Sequence, residues 1–241
     1  CGVIIDNTYL YMGTDNGILI YNYRTDRYEQ PATDFPTDVR TMALQGDTLW
    51  IGALNSLYTY QLQNRKLSPL DTKRNGLPHN TIYSIIRTGD NQIYVGTYNG
   101  LCRYIASNGK FEKIPLPVNS SQSNLFVNSL LEDTGRQCIW IGTEGGGINR
   151  MDKVNGEISG FTLPNNVTSK NVKSLVIDAG RNLWISTFRG GLDLYDSRQN
   201  KAINYKHSKK DSCSLLVDDI RKTVLEGDSG MWISYQYHKP E

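Results

Sequence analysis

Apolar residues come in short runs of roughly four to eight, separated by glycine, asparagine and aspartate. One run recurs six times, as "YLYMGTDNGILIY", "TLWIGALNSLYTY", "QIYVGTYNGLCRY", "CIWIGTEGGGINRM", "NLWISTFRGGLDLY" and "GMWISYQYH". A small residue stands at its centre, at Gly13, Gly52, Gly96, Gly142, Ser186 and Ser234, with successive spacings of 39, 44, 46, 44 and 48 residues. Two residues earlier stand Tyr11, Trp50, Tyr94, Trp140, Trp184 and Trp232, so all four tryptophans of the chain share one register position. A turn follows, closed by Gly17, Ser56, Gly100, Gly147 and Gly191, and a second apolar run begins there. Each copy is preceded by another apolar run, such as "VRTMALQG", "IYSIIRTG" or "VKSLVIDAG", and followed by a weaker one, such as "GKFEKIP". No window keeps a 3.6-residue period beyond about two turns of helix.

The pattern predicts strand, tight turn, strand, tight turn, strand and a weaker fourth strand, repeated at the period of a four-stranded propeller blade. The expected fold is an all-β propeller with about five complete blades and part of a sixth, whose strands fall within Ile220–Tyr235. Residues 1–241 read as one propeller piece, with blades over 2–37, 38–79, 80–124, 125–170, 171–216 and 217–241. A single blade cannot bury both faces, so blades must stack. The repeated tryptophans, Trp50, Trp140, Trp184 and Trp232, are expected between neighbouring blades. The small residues, among them Gly13, Gly52, Gly96 and Gly142, are expected to let backbones approach near the ring centre. Asp38, Asn80, Asn128, Asn171 and Asp219 precede the first strands, where Asn and Asp shape entry turns through their own backbone.

Composition adds limits. The 22 glycines and 15 tyrosines suit turns and strands. A net charge of +2 favours neither nucleic acid nor an anionic membrane surface. No run of 18 apolar residues occurs, so direct membrane contact is not expected. The opening "CGVIID" reads as the start of an excised piece, with a lipid-bearing Cys1 as the alternative. The four cysteines, Cys1, Cys102, Cys138 and Cys213, lack metal-ligand spacing; they read as free thiols, and a Cys102–Cys138 disulfide is compatible but not required.

The stretch Gly142 to Gly147 has the G-x-x-x-x-G spacing of a phosphate loop, yet Ile148 and Asn149 follow where Lys and Ser/Thr are needed, and no helix follows. No cofactor, metal or catalytic residue is therefore expected. Histidines His79, His207 and His238 occupy unrelated repeat positions. Binding is the better class, because loops on a rigid scaffold carry recognition. The turns after the second strands would gather Asp15, Asn16, Asn55, Tyr98, Asn99, Glu144, Phe188, Arg189, Tyr235, Gln236 and His238 on one face. Of these, Tyr98, Asn99, Glu144, Phe188, Arg189, Tyr235 and His238 are the candidate ligand contacts: aromatics with amide and charged neighbours suit sugar rings. The basic run "KHSKKD", Lys206 to Asp211, reads as a solvated loop, with an anionic glycan as the alternative.

The motifs "NVKSLVIDAGRNLWISTFRGGLDLYD" (Asn171 to Asp196) and "CIWIGTEGGGINRMD" (Cys138 to Asp152) resemble the two-component regulator propeller repeat. Such repeats build the periplasmic sensor regions of Bacteroidetes-type hybrid two-component histidine kinases. There, two seven-bladed propellers precede an immunoglobulin-like domain, a membrane helix and the kinase. The resemblance implies a fragment of one seven-bladed ring, which needs about 300 residues at this period. It implies a periplasmic location, a carbohydrate ligand, a homodimeric full-length receptor and no enzyme activity in this region. An interaction or dimerisation scaffold and a central-cavity glycosidase or lyase stand as the alternatives.

Overall fold

The computed structural model describes residues 3–5, 8–29, 34–117, 125–164, 169–228 and 230–236. The chain divides into two compact units, Cys1–Leu116 and Pro117–Glu241. In the first unit, β1 (Val3–Ile5), β2 (Tyr9–Thr14), β3 (Gly17–Asn22) and β4 (Arg27–Glu29) form one sheet. A second holds β5 (Val39–Gln45), β6 (Thr48–Ala53), β7 (Leu57–Gln61) and β8 (Lys66–Leu70). After the one-turn helix α1 (Thr72–Asn75) come β9 (Ile82–Arg87), β10 (Ile93–Thr97), β11 (Gly100–Ile105) and β12 (Lys110–Ile114). The second unit holds β13 (Val127–Asp133), β14 (Cys138–Thr143), β15 (Ile148–Asp152) and β16 (Ile158–Phe161), then β17 (Val172–Ile177), β18 (Leu183–Thr187), β19 (Gly191–Asp196) and β20 (Lys201–Tyr205). It ends in a two-stranded sheet, β21 (Ile220–Glu226) and β22 (Gly230–Tyr235). Every sheet is an antiparallel meander in chain order, the blade architecture expected of a propeller.

Helix α1 has no counterpart in the repeat. Asp71 caps it, accepting from the backbone N–H groups of Lys73 at 2.9 Å and Arg74 at 2.7 Å, and Gly76 ends it at φ +74°. Both signals are in the sequence, but a four-residue helix is too short to show a period.

Blades within a unit meet through one recurring steric fit. A Cβ on Gly52 would lie 2.5 Å from Cγ2 of Ile82, the first residue of the next blade's first strand. Gly13 stands in the same relation to Val39 Cγ1 at 2.6 Å, and Gly142 to Val172 Cγ1 at 2.5 Å. The small residue therefore receives a β-branched side chain, where the sequence led us to expect a neighbouring backbone. Val39, Ile82 and Val172 are fully buried as a result. In the fifth blade Ser186 replaces glycine, and its hydroxyl meets Thr223 Oγ1 of the next blade at 2.5 Å.

Two of the repeated indoles, Trp50 and Trp140, are buried in aromatic contacts that run to the next blade, whereas Trp184 is half-buried and stacks on Tyr205 of its own blade at 5.9 Å. Trp50, 2% exposed, meets Tyr104 of the next blade edge-on at 4.8 Å. Trp140, also 2% exposed, meets Phe161 at 4.9 Å, which in turn meets Tyr195 of the next blade at 5.2 Å. Every indole N–H donates to the end of its own first strand or the turn after it: Trp50 to Gln45, Trp140 to Asp133, Trp184 to Asp178 and Trp232 to Glu226. Trp232 departs from the expected interblade setting. It lies on the two-stranded sheet and is 67% exposed.

Asp133 does more than hold an indole. Fully buried, it accepts from Arg136 at 2.5 Å and from Arg181 of the next blade, while Arg136 also donates to the Arg181 carbonyl at 2.9 Å. Burial pushes the Asp133 carboxyl up, but hydrogen bonds from Arg136 and Trp140 outweigh it and leave its pKa lowered. A depressed folded pKa means the stabilisation is full above the unfolded value of about 3.9 and is lost as pH falls through the folded value.

Two outcomes follow from these interfaces. Gly52→Ala should cost about 1–3 kcal/mol in urea unfolding, and the loss in Gly52→Ala/Ile82→Ala should fall short of the sum of the singles. Asp133→Asn should cost about 3–5 kcal/mol at pH 7, because two guanidinium groups lose their counter-ion. Its gap to the wild type in thermal melts should close as pH falls below about 4.

Candidate functional site

The turns between second and third strands are held by two repeated bonds. The threonine ending the second strand donates its hydroxyl to the carbonyl of the closing glycine: Thr14 to Gly17, Thr97 to Gly100, Thr143 to Gly147 and Thr187 to Gly191, at 2.9–3.0 Å. The residue after that strand also donates its backbone N–H to the carbonyl of the residue preceding the first strand. These bonds join Leu54 to Asp38, Tyr98 to Thr81, Glu144 to Phe126, Phe188 to Asn171 and Gln236 to Asp219, at 2.9–3.3 Å. The entry position therefore works through its backbone, which is why Thr81 and Phe126 serve as well as Asp or Asn. Asn80 and Asn128 do not belong to that set: Asn80 stands two residues before β9, where Thr81 makes the bond, and Asn128 lies one residue inside β13.

A second feature was not legible in the repeat. Each first strand from β5 onward carries a bulge near its start. Val39 pairs with Ala53 and Thr41 with Gly52, leaving Arg40 without a partner across the ladder. The same shift leaves out Tyr83, Asn128, Lys173 and Arg221. A bulge re-aims the side chain it carries.

In the second unit the bulges and turns converge. Lys173 Nζ lies 3.1 Å from Glu144 Oε2, and Asn128 Nδ2 donates to the same oxygen at 3.3 Å and to the Val172 carbonyl at 3.1 Å. Lys173 Nζ also lies 5.5 Å from the Phe188 ring centre, and the Arg189 guanidinium 4.9 Å from it. Ser169 Oγ donates to the Phe188 carbonyl at 2.9 Å. Arg189 adopts φ +57°, where the preceding blade has Gly145 at φ +90°. A left-handed arginine where the motif admits glycine is a strained choice. Glu144, Phe188 and Arg189 are thus brought together. Sequence reading missed Lys173 and the inward place of Asn128, since both look like ordinary strand residues until the cross-strand register is known.

The other candidates lie elsewhere. Tyr98 and Asn99 belong to the first unit, where the Tyr98 ring, on a residue 46% exposed, lies tilted by 33° against His79 at 4.9 Å. Arg40 there covers the Tyr83 ring at 5.2 Å. Tyr235 accepts the Leu216 N–H at 3.3 Å beside the last sheet. His238 lies outside the described residues, as does Cys1. Cys102, Cys138 and Cys213 are free thiols, which removes the disulfide alternative; burial pushes the Cys102 and Cys138 thiols up. A polar groove of about 370 Å³ runs along Arg150, Asp152, Asn155, Glu157, Ile158 and Ser159, at the opposite end of its blade from the Glu144 turn. Among the described residues, no group of three or more His, Cys, Asp or Glu is placed to hold a metal ion. No helix among them is long and apolar enough to cross a membrane.

Comparison with known proteins agrees with this architecture. Residues 76–99, from α1's cap to the β10–β11 turn, match the family described as two-component regulator propeller. Histidine kinase P4 of Formosa agariphila is 26% identical over 93% of this chain, which spans 17% of that protein. Two crystal structures of the extracellular domain of BT4673 from B. thetaiotaomicron, described once as a hybrid two-component and once as a one-component system, are 61% identical with a TM-score of 0.88; the match covers 98% of this chain and 31% of theirs. PorZ of Porphyromonas gingivalis, 14% identical with a TM-score of 0.69 over 96% of this chain and 36% of its own, shares the fold. This chain therefore spans about a sixth of the kinase and under a third of the crystallised domain.

The strain at Arg189 is separable from its charge. Arg189→Ala keeps the left-handed backbone and loses the ring contact, whereas Arg189→Gly relieves the strain as it loses the contact. In thermal unfolding the glycine variant should be the more stable by about 1 kcal/mol.

Proposed function

From a chain that carries two-component regulator propeller repeats, we propose a periplasmic sensor module that binds an oligosaccharide and passes its bound state to a histidine kinase in another part of the same protein. The observation that carries this reading is the Glu144–Lys173–Phe188–Arg189 constellation. It sits on turns whose backbone is clasped the same way in blade after blade, while its side chains do not repeat. Rigid turns keep the entropy cost of binding low. Carboxylate, amide and ammonium groups can bond sugar hydroxyls, and an aromatic ring can meet the apolar face of a pyranose.

In this reading the region is not catalytic, and phosphoryl transfer belongs to the kinase outside it. The full receptor is a homodimer, and the saccharide acts by favouring one of two receptor arrangements. It does so only to the extent that it binds the two unequally. The similarity to extracellular domains of two-component systems supports the placement outside the cytoplasm.

Calorimetry of the protein against a panel of plant and host glycans tests the proposal. Saturable heat with at least one oligosaccharide, weakened at least tenfold by Glu144→Gln with Phe188→Ala, is expected. Dimerisation without heat from any glycan would point instead to a scaffold, and release of reducing ends to a glycosidase.

A further inference from the structure

The five bulge positions carry Arg40, Tyr83, Asn128, Lys173 and Arg221: three cations and no acid, in a chain with 26 basic and 24 acidic residues. The bias is sharpest in the second unit. Lys173 and Arg189 both approach the Phe188 ring, and Glu144 is the one carboxylate paired there among the described residues. The Glu144 contact takes up one of those charges. Arg189 is exposed and has no carboxylate partner among the described residues. Arg221 is exposed on β21, which lies beside β17 and donates the Thr223 N–H to Ser174 Oγ at 3.4 Å. On the same turn as Arg189, Gly191 lies against the stem of the exposed Lys206 and donates its N–H to the carbonyl of Asp218 at 2.9 Å; the Asp218 carboxylate is itself taken up, accepting the His207 N–H at 2.6 Å. Lys173 and Arg189, both over the Phe188 ring, repel one another, and the turn holds Arg189 at φ +57°.

Resting on the saccharide reading above, we infer that this site recognises an anionic sugar, with Arg189 and Lys173 taking its carboxylate or sulfate and Phe188 meeting the ring. A guanidinium offers a planar fork that fits a carboxylate or sulfate with two parallel hydrogen bonds. The Lys173 ammonium, shared with Glu144, supplies the second charge and fixes the register of the bound residue. A neutral sugar would leave the excess positive charge uncompensated.

The test uses calorimetry with four probes: trigalacturonic acid, its carboxyl-reduced neutral counterpart, a sulfated disaccharide and inorganic sulfate. One or both acidic saccharides should bind at least about tenfold tighter than the neutral one at low salt, as charge-assisted hydrogen bonds warrant, and the margin should narrow with added salt. Lys173→Gln/Arg189→Gln should abolish that margin, whereas Lys66→Gln/Lys110→Gln, which removes the same charge from exposed positions of the other unit, should leave it. Circular dichroism melts confirm that both variants remain folded. Equal binding of acidic and neutral saccharides would overturn the anionic assignment and leave the sensor proposal standing. A margin that survives Lys173→Gln/Arg189→Gln would overturn the location. Inorganic sulfate binding as tightly as the acidic saccharides would reduce the site to a free-anion site. Silence from every saccharide would overturn both proposals.

Discussion

A first strand that begins with valine or isoleucine must put that branched side chain somewhere, and the preceding blade receives it over a residue with no Cβ. Gly13 takes Val39, Gly52 takes Ile82 and Gly142 takes Val172, each at a distance that one added carbon would close. This contact fixes how near and in what register two blades lie, because only one residue of each second strand leaves the space. The buried indoles, the Asp133–Arg181 bridge and the aromatic edge contacts depend on that spacing. The substitution of serine at Ser186 follows the same logic, since its hydroxyl finds Thr223 in the neighbour.

With strand positions fixed within each unit, the turns between second and third strands are held in place. The threonine-to-glycine clasp and the backbone bond to the entry residue recur with different side chains around them, so the backbone is constant and the chemistry is free to vary. The bulges extend this freedom inward by turning one residue per first strand out of the ladder. Lys173 reaches Glu144 and Phe188 from such a position. In the proposed reading, recognition lies on the turns and bulges, while the interblade fit carries stability.

The blade order, the strand runs, the shared indole register and the turn-closing glycines were legible because each follows from local period and composition. The all-β fold and its four-stranded antiparallel sheets are those the repeat predicts. The bulges were not legible: an extra residue in a strand alters no hydrophobic pattern and appears only against its partner strand. In sequence, therefore, Asn128 looks like an entry residue and Lys173 like an ordinary strand residue. Trp232 shares the indole motif yet lies exposed, because burial depends on what covers a strand rather than on the strand's own sequence. Of the site, Glu144, Phe188 and Arg189 stood out as departures from the repeat, while their meeting with one another depends on blades side by side.

The central claim, that recognition sits on the turn-and-bulge rim of the second unit, is tested most directly by hydrogen exchange with and without a saturating saccharide. Protection should concentrate in peptides covering the β14–β15 turn, the start of β17 and the β18–β19 turn. Protection confined to the β15–β16 groove near Arg150 and Glu157, with those turns unchanged, would contradict it.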